Sequence, residues 1–318
     1  MTRTERDPRE LDGAWARHQS IDFPEPAPDL APFVERYWAV EWDYATPYRQ
    51  KIVPMPNVQV TMVPGGVPEV HGVCTGFQVK VLSGRGRVVG AAVRPGAFRA
   101  FLDGPVAALT DRTVRADSLP ALVGSPEEPV TTGTLQEWLR RHLPAPGPDS
   151  SGREAGEAVA LVAADPSIAR VDQLATATAS SVRRLQRLFS EHVGVAPKWV
   201  IRRYRLREVT ERMAAGGRVE WAAVAADLGY ADQAHLVRDF TALFGEPPTH
   251  YARRYPARPT GTASDSDRVR RRARACAPGR RRCRRLATTC WRTAPGRSRP
   301  RSAARWSRPP AGCCRSAR

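Results

Sequence analysis

One pattern occurs twice in the second half of the chain, and it constrains the fold more than any other feature. A short apolar helix is predicted at Val171–Ala177, a break follows at 178–180, and an amphipathic helix is predicted at Ser181–Val193. The same succession, with a glycine at the break, returns as Val219–Leu228 and Gln233–Phe244. Apolar residues recur with the 3.6-residue period of an α-helix. The pattern therefore predicts an all-helical region built from two similar units.

Each amphipathic helix separates an apolar stripe from a polar one. In the first helix the apolar residues are Val182, Leu185, Leu188 and Phe189. The polar stripe consists of Arg183, Gln186 and Arg187. Arginine can donate two hydrogen bonds to guanine and glutamine can pair with adenine, so such a face suits the major groove of DNA. A short helix, a tight turn and a polar helix form a helix-turn-helix pattern. The alternative is that the polar face is only solvated.

A long helix predicted at Trp199–Ala214 joins the two units and carries a local excess of positive charge. Its basic residues include Arg202, Arg203, Arg205 and Arg207. Between Arg183 and Arg207 there are eight basic residues and one acidic residue, Glu191. Two units joined in this way can reach successive major grooves roughly 34 Å apart. The local charge supports an interaction with nucleic acid.

The formal net charge of +18 does not support that interaction, because it belongs to the C-terminal segment. Residues 256–318 contain 19 arginines and two acidic residues, which leaves about +1 for the rest of the chain. Core-forming residues are sparse in this segment, so we expect it to be disordered. Its composition is typical of GC-rich codons read out of frame. A shifted reading frame and a genuine basic arm both remain open.

The N-terminal region, residues 1–143, is predicted to be rich in β-structure. Lys51–Val63 alternates apolar and polar residues, and Gly76–Leu82 and Arg87–Val93 are further predicted strands separated by a turn at 84–86. Short strands at this spacing favour a small barrel or sandwich.

A helix capped by Thr134 is predicted at the end of this N-terminal region. Its apolar stripe either packs inside the domain or forms a dimer seam, and consists of Leu135, Trp138 and Leu139. A Pro- and Gly-rich linker at 144–153 separates this region from the helical domain at 154–255.

The helical region resembles the DNA-binding domain of the AraC/XylS family of transcription regulators. The segment LGYADQAHLVRDFTALFGEPPTHYARR is similar to the family's second helix-turn-helix, and LQRLFSEHVGVAPKWVIRRYRL is similar to its first unit and linker helix. The resemblance implies a cytoplasmic bacterial regulator that binds double-stranded DNA and works with RNA polymerase. Segments such as PDLAPFVERYWAVEW resemble the N-terminal domain of one subgroup. That domain implies a β-rich, cupin-like module that senses a small-molecule effector or forms a homodimer.

The resemblance assigns roles to residues at matching positions. Base contacts are expected from Arg183, Gln186, Arg187, Gln233, Ala234 and Arg238. Phosphate contacts are expected from Arg184, Lys198, Arg202, Arg203 and His235. The chain departs from the family at Ala179, where the first turn often has glycine, so a less tight turn is expected there. Ala234 cannot hydrogen-bond and is expected to touch at most a thymine methyl group.

The sequence offers little for catalysis, metal binding or membrane insertion. His71 is alone among the predicted strands, so no metal site is expected, and no cofactor is expected either. Cys74 is the only cysteine before residue 256, which fits a reducing cytoplasm, and we expect it to be a small buried residue.

Arg94 and Arg99 either bind an anionic effector or pair at the surface. The aromatic residues Phe33, Trp38 and Trp42 either line a pocket or belong to the core. The N-terminus lacks the apolar stretch of a signal peptide, and the longest apolar run is too short to span a bilayer.

Two other functions compete with specific DNA binding. The first is an enzyme whose β-rich domain converts a small molecule and carries a DNA-binding appendage, although no paired carboxylates, nucleophile elbow or phosphate loop support it. The second is a nonspecific nucleic-acid protein driven by its arginine-rich tail.

Truncation after Tyr255 separates the last alternative from specific reading. We expect the truncated chain to keep its preference for a specific duplex over scrambled competitor, because the predicted readers lie before residue 256. Competition binding measures this preference, and its complete loss on truncation would favour the nonspecific protein.

Overall fold

The computed structural model describes residues 15–124, 126, 128–143, 149–215 and 219–255. Within these residues the strands are β1 (Gln19–Asp22), β2 (Val34–Ile52), β3 (Gln59–Met62), β4 (Glu69–His71), β5 (Gln78–Val93) and β6 (Thr113–Arg115). The helices are α1 (Thr132–His142), α2 (Ser150–Ala164), α3 (Val171–Ala177), α4 (Val182–His192), α5 (Pro197–Ala214), α6 (Trp221–Asp227), α7 (Gln233–Phe244) and α8 (Pro248–Tyr251). A β-rich region is thus followed by a helical region, as predicted. The expected disorder of the tail at 256–318 concerns residues outside the described ones.

The strands form one antiparallel sheet in the order β1-β2-β5-β3-β4-β6. β1 and β6 lie at its edges, so the pairing of the described strands does not close the barrel that the resemblance implies. The strand predicted at Lys51–Val63 is interrupted: β2 ends at Ile52 and β3 begins at Gln59. The two strands predicted on either side of 84–86 are one continuous strand, β5, paired with β2.

Tryptophan side chains explain why β5 continues through its glycines. Trp42 lies opposite Gly86 and Trp38 lies opposite Gly90 in the β2–β5 register. A Cβ atom at Gly86 would lie 2.2 Å from the ring of Trp42, and one at Gly90 would lie 2.3 Å from that of Trp38. The glycines provide flat backbone that the indole rings cover, which is a known way to stabilise glycine within a sheet. These tryptophans therefore pack on the sheet, half-buried.

Helix α1 packs its apolar stripe against the sheet. Leu135, Trp138 and Leu139 are all buried in the same core as the sheet residues, so they do not form an exposed dimer seam. The helix begins earlier than predicted, because Thr131 is its N-cap and Thr134 is the third helical residue of a capping box. The Trp138 indole also donates to the carbonyl of Gly124 at 3.2 Å.

The helical region divides its core between the two units. One buried cluster lies among α2, α3, α4 and the first half of α5, and the other lies among the second half of α5 and α6 to α8. The bounds of α3 and α7 agree with the predictions. Helix α2 begins at Ser150, capped by Asp149, and so takes up part of the predicted linker. None of the described helices is long and apolar enough to cross a membrane.

The turns inside the two units have the same geometry. Ala179 adopts a φ of +48° and Gly229 a φ of +70°, both in the left-handed region. In each turn the next residue donates to a carbonyl five residues earlier, Ser180 to Ala175 at 2.8 Å and Tyr230 to Ala225 at 2.9 Å. This pattern is a Schellman motif. The first turn is therefore as tight as the second, contrary to expectation, and Ala179 accepts the backbone strain that glycine avoids.

We expect Ala179→Gly to stabilise the protein by about 0.5–1 kcal/mol, because the strain of a left-handed alanine exceeds the added entropy of the unfolded chain. The matched reverse exchange, Gly229→Ala, should cost about 1 kcal/mol. Denaturant titration gives both free energies of unfolding. A destabilised Ala179→Gly variant would contradict the shared turn geometry.

His71 links three strands through its ring. Its Nε2 lies 2.7 Å from the Thr61 hydroxyl of β3, and its Nδ1 lies 2.9 Å from the Thr113 hydroxyl of β6. Burial lowers the pKa of His71 below its usual range, the charge of Lys80 lowers it further, and Glu69 opposes the shift. The unfolded chain therefore takes up this proton more readily than the folded chain.

The contribution of His71 to stability should thus be complete above its unfolded pKa of about 6.5 and should be lost as the pH falls through its lower folded pKa. We expect His71→Gln to reduce the loss of unfolding free energy between about pH 7 and pH 5, because glutamine hydrogen-bonds without titrating. Urea titrations of the variant and the wild type at both pH values measure this loss of unfolding free energy. The same loss in the variant and the wild type would show that His71 does not contribute.

Candidate nucleic-acid interface

Helix α4 presents the predicted polar face to solvent. The Ser181 hydroxyl accepts from the backbone N–H of Arg184 at 3.2 Å and fixes where the helix begins. The apolar stripe is buried at Leu185, Leu188 and Phe189. Burial of this stripe leaves Arg183, Gln186 and Arg187 on the opposite side, where all three are exposed. The three predicted base-contacting residues of the first unit thus share one accessible face.

Helix α7 repeats this arrangement in the second unit. The carboxylate of Asp232 caps the helix by accepting from the backbone N–H of His235 at 2.6 Å. Its buried residues are Leu236, Phe240, Leu243 and Phe244. Gln233, Ala234 and Arg238 are exposed. The second face carries two polar readers and one methyl group, so it offers fewer hydrogen bonds than the first.

The predicted phosphate-contacting residues have different surroundings. Lys198 is exposed near the start of α5. Arg184 is exposed and makes a two-bond ion pair with Glu154 of α2, at 3.1 and 2.5 Å. Arg202 is half-buried with its guanidinium 3.5 Å from the carboxylate of Asp239, and His235 is half-buried with its Nε2 4.0 Å from the same carboxylate. These side chains lie within reach of solvent, although three of them already have acidic neighbours.

Arg203 does not lie at the surface, contrary to prediction. Only 7% of the residue is exposed, and its Nε donates to the backbone carbonyl of Pro54 in the β2–β3 loop. Its guanidinium lies 5.8 Å from the ring centre of Phe244. Burial lowers its pKa to about 10. A side chain enclosed in this way is not available to a phosphate, so Arg203 is not expected to contact one.

Arg205 has a structural role that the charge count did not anticipate. Arg205 is buried, and its guanidinium donates to two backbone carbonyls. One is that of Leu228 in the second unit, and the other is that of Ile168, just before the first unit, at 2.8 Å. Burial lowers its pKa. The sequence contained a signal, because position 205 lies one helical turn from both Ile201 and Val209 and so falls on the buried face of α5. The basic cluster near the linker helix is therefore smaller at the surface than its sequence count.

The N-terminal candidates for effector binding are engaged in other contacts. Arg94 donates to the carbonyl of Ala31 at 2.5 Å, and Arg99 pairs with Glu191 of α4 at 2.5 Å. Cys74 is half-buried, and burial raises the pKa of its thiol, which disfavours a reactive thiolate. Among the described residues, no group of three or more His, Cys, Asp or Glu side chains is placed to hold a metal ion.

Two family models match the chain. The model described as "Helix-turn-helix domain" covers residues 174–254, which run from the middle of α3 to beyond the end of α8 and so hold nearly all of both units. The model described as "Domain of unknown function (DUF6597)" covers residues 23–115, which hold strands β2 to β6. Comparison with curated proteins gives no match.

Solved structures with some similarity include two bacterial proteins. ToxT from Vibrio cholerae is 10% identical over 77% of this chain and 100% of its own, with a TM-score of 0.36. The C-terminal domain of AraT, a response regulator from Geobacillus stearothermophilus, is 18% identical over 35% of this chain and 93% of its own, with a TM-score of 0.30.

The match at 174–254 contains the two capped helices that expose arginine and glutamine after turns of the same geometry. Residues 174–254 form a helix-turn-helix domain, and the chain is a DNA-binding transcription regulator.

Proposed function

We propose that α4 and α7 are the two recognition helices of a sequence-specific regulator and that they enter successive major grooves of one duplex. The observation that carries this proposal is the duplication of one local geometry, a Schellman turn followed by a side-chain-capped helix, in both units. A rigid turn and cap fix the direction in which each helix leaves the core, so its polar face has a defined orientation. Such a face can select bases rather than only neutralise phosphates.

The two recognition helices make unequal contributions. Arg183, Gln186 and Arg187 give α4 three hydrogen-bonding readers, whereas α7 has Gln233 and Arg238 beside the methyl group of Ala234. Arginine and glutamine specify guanine and adenine, and an exposed methyl group suits thymine. The first unit therefore supplies most of the base discrimination. Phosphate contacts come from four side chains: Arg184, Lys198, Arg202 and His235. Arg184, Arg202 and His235 leave their acidic neighbours when they bind a phosphate.

The remaining chain has a regulatory role in this proposal. A sensing or dimerising module occupies residues 1–143, and the DNA-binding domain extends from α2, which begins at Ser150, to residue 255. An effector or a second copy of the chain acts on the first module, and the output is contact with RNA polymerase. The resemblance of the N-terminal segments supports this division, and the match to a helix-turn-helix domain favours a regulator over an enzyme.

Arg187→Ala tests base reading directly. Selection of duplexes from a random pool with the full chain defines the specific site. We expect the variant to bind that site more weakly by about 1–3 kcal/mol and to relax one base position, because a two-bond contact to a base is lost. Arg187 is exposed, so the fold should be unaffected.

Arg115→Ala is the matched control, since it removes an exposed arginine from β6 of the sheet. Its affinity for the selected duplex should match that of the wild type. Equal weakening of Arg187→Ala on selected and random duplexes would mean that Arg187 contacts the backbone only.

A further inference from the structure

The sheet region, which consists of β1 to β6, the loops between them and α1, contacts the C-terminal end of α4 through three polar interactions. Arg99 pairs with Glu191 at 2.5 Å. The backbone N–H of Gly96 donates to the carbonyl of His192 at 3.2 Å. The Thr110 hydroxyl donates to the carbonyl of Gly194. Because the last carbonyls of a helix have no partners within it, the bonds from Gly96 and Thr110 also satisfy carbonyls at and just after the helix end.

The same region holds the C-terminal end of α7. Lys51, at the end of β2, lies 3.1 Å from the carboxylate of Glu246, and the two side chains are only 15% and 8% exposed. The ring of Phe77 packs on Gly245, where a Cβ atom would lie 2.6 Å from it. Close approach of the ring therefore requires glycine at the end of α7.

Contacts with α5 lie between these two ends. The Trp199 indole donates to the carbonyl of Thr75 at 3.1 Å, and Arg203 donates to that of Pro54. The sheet region also enters both helical cores: Val73 is buried in the core of the first unit, and Val53 packs against that of the second. The interface thus reaches from one recognition helix to the other.

All of these contacts come from one hydrogen-bonded sheet and its loops. Lys51 belongs to β2, residues 72–77 connect β4 to β5, and Arg99 and Thr110 follow β5. We propose that the sheet region is a bracket that fixes the distance and angle between α4 and α7, and thereby determines which spacing of half-sites the protein accepts. This inference rests on the proposed function of both helices.

The bracket adds to the connection that α5 provides. Helix α5 has 18 residues and is about 27 Å long, so a small bend displaces one reader relative to the other. A second connection between the ends of both readers restrains that bend. Any change within the sheet that moves one contact group relative to the other also changes the accepted spacing, which gives the N-terminal region a route to regulation.

A triple variant, Lys51→Met, Arg99→Met and Thr110→Val, removes polar contacts at both ends with little change in side-chain volume. Glu246 keeps its bond from Arg254 at 2.8 Å, so it is not left as an unpaired buried charge. Arg140→Met is the control, because Arg140 of α1 pairs with Asp29 and Glu137, both at 2.6 Å and both outside the recognition helices. Thermal unfolding confirms that each variant folds.

The experiment compares the selected duplex with one that has a single base pair inserted between its half-sites. The insertion moves one half-site by about 3.4 Å and rotates it by roughly 34°. We expect wild type and Arg140→Met to lose at least ~30-fold in affinity, since one reader no longer meets its bases. The triple variant should lose at most ~5-fold and still prefer the selected duplex to a scrambled one.

A full penalty in the triple variant would overturn the bracket, because α5 would then fix the spacing alone. Loss of all preference for the selected duplex would also overturn it, since the sheet would then be needed for reading itself. If the triple variant does not fold, Thr110→Val and Arg99→Met are tested singly, and a smaller penalty than that of wild type supports the bracket while an equal one overturns it. Failure of the wild type to select any duplex would instead contradict the proposed function.

Discussion

The buried guanidinium of Arg205 is the interaction on which the arrangement of the two units depends. It donates to the turn after α6 and to the segment before α3, and both acceptors are backbone carbonyls. A charged group buried in this way is costly unless it is hydrogen-bonded. Both hydrogen bonds of Arg205 form only when the two units are packed against α5, so the buried charge favours that arrangement. Each unit buries a small core of its own, and α5 contributes to both cores.

In the proposed function, the surface that reads DNA is separate from the surface through which the N-terminal region acts. The polar readers lie along exposed faces of α4 and α7, and side-chain caps at Ser181 and Asp232 define where those faces begin. The sheet region contacts the opposite, C-terminal ends of the same helices. The exposed polar faces of α4 and α7 are thus proposed to meet DNA, while the C-terminal end of each helix contacts the N-terminal region. A regulator needs both connections, because binding of an effector acts only through contacts that differ between states.

The sequence predicted the helical region well because periodicity and capping are local. The bounds of α3 and α7 follow from these signals alone. Charge counting failed at Arg203 and Arg205, since it ignores which helix face a residue occupies and which distant loop covers it. The predicted turn at 84–86 was wrong, because glycine can also lie within a strand where a large side chain of the neighbouring strand covers it, as Trp42 covers Gly86. Ala179 shows the reverse case, in which the turn forms without the residue that usually marks it.

Dimethyl sulfate footprinting of the full chain on its selected duplex tests the central claim most directly, because this reagent attacks guanine N7 in the major groove. The account predicts two clusters of protected guanines on one face of the duplex, with centres about 10 base pairs apart. Weakening one cluster by a substitution in α4 should leave the other in place. A single cluster, or protection without clusters, would contradict the presence of two recognition helices that read DNA together.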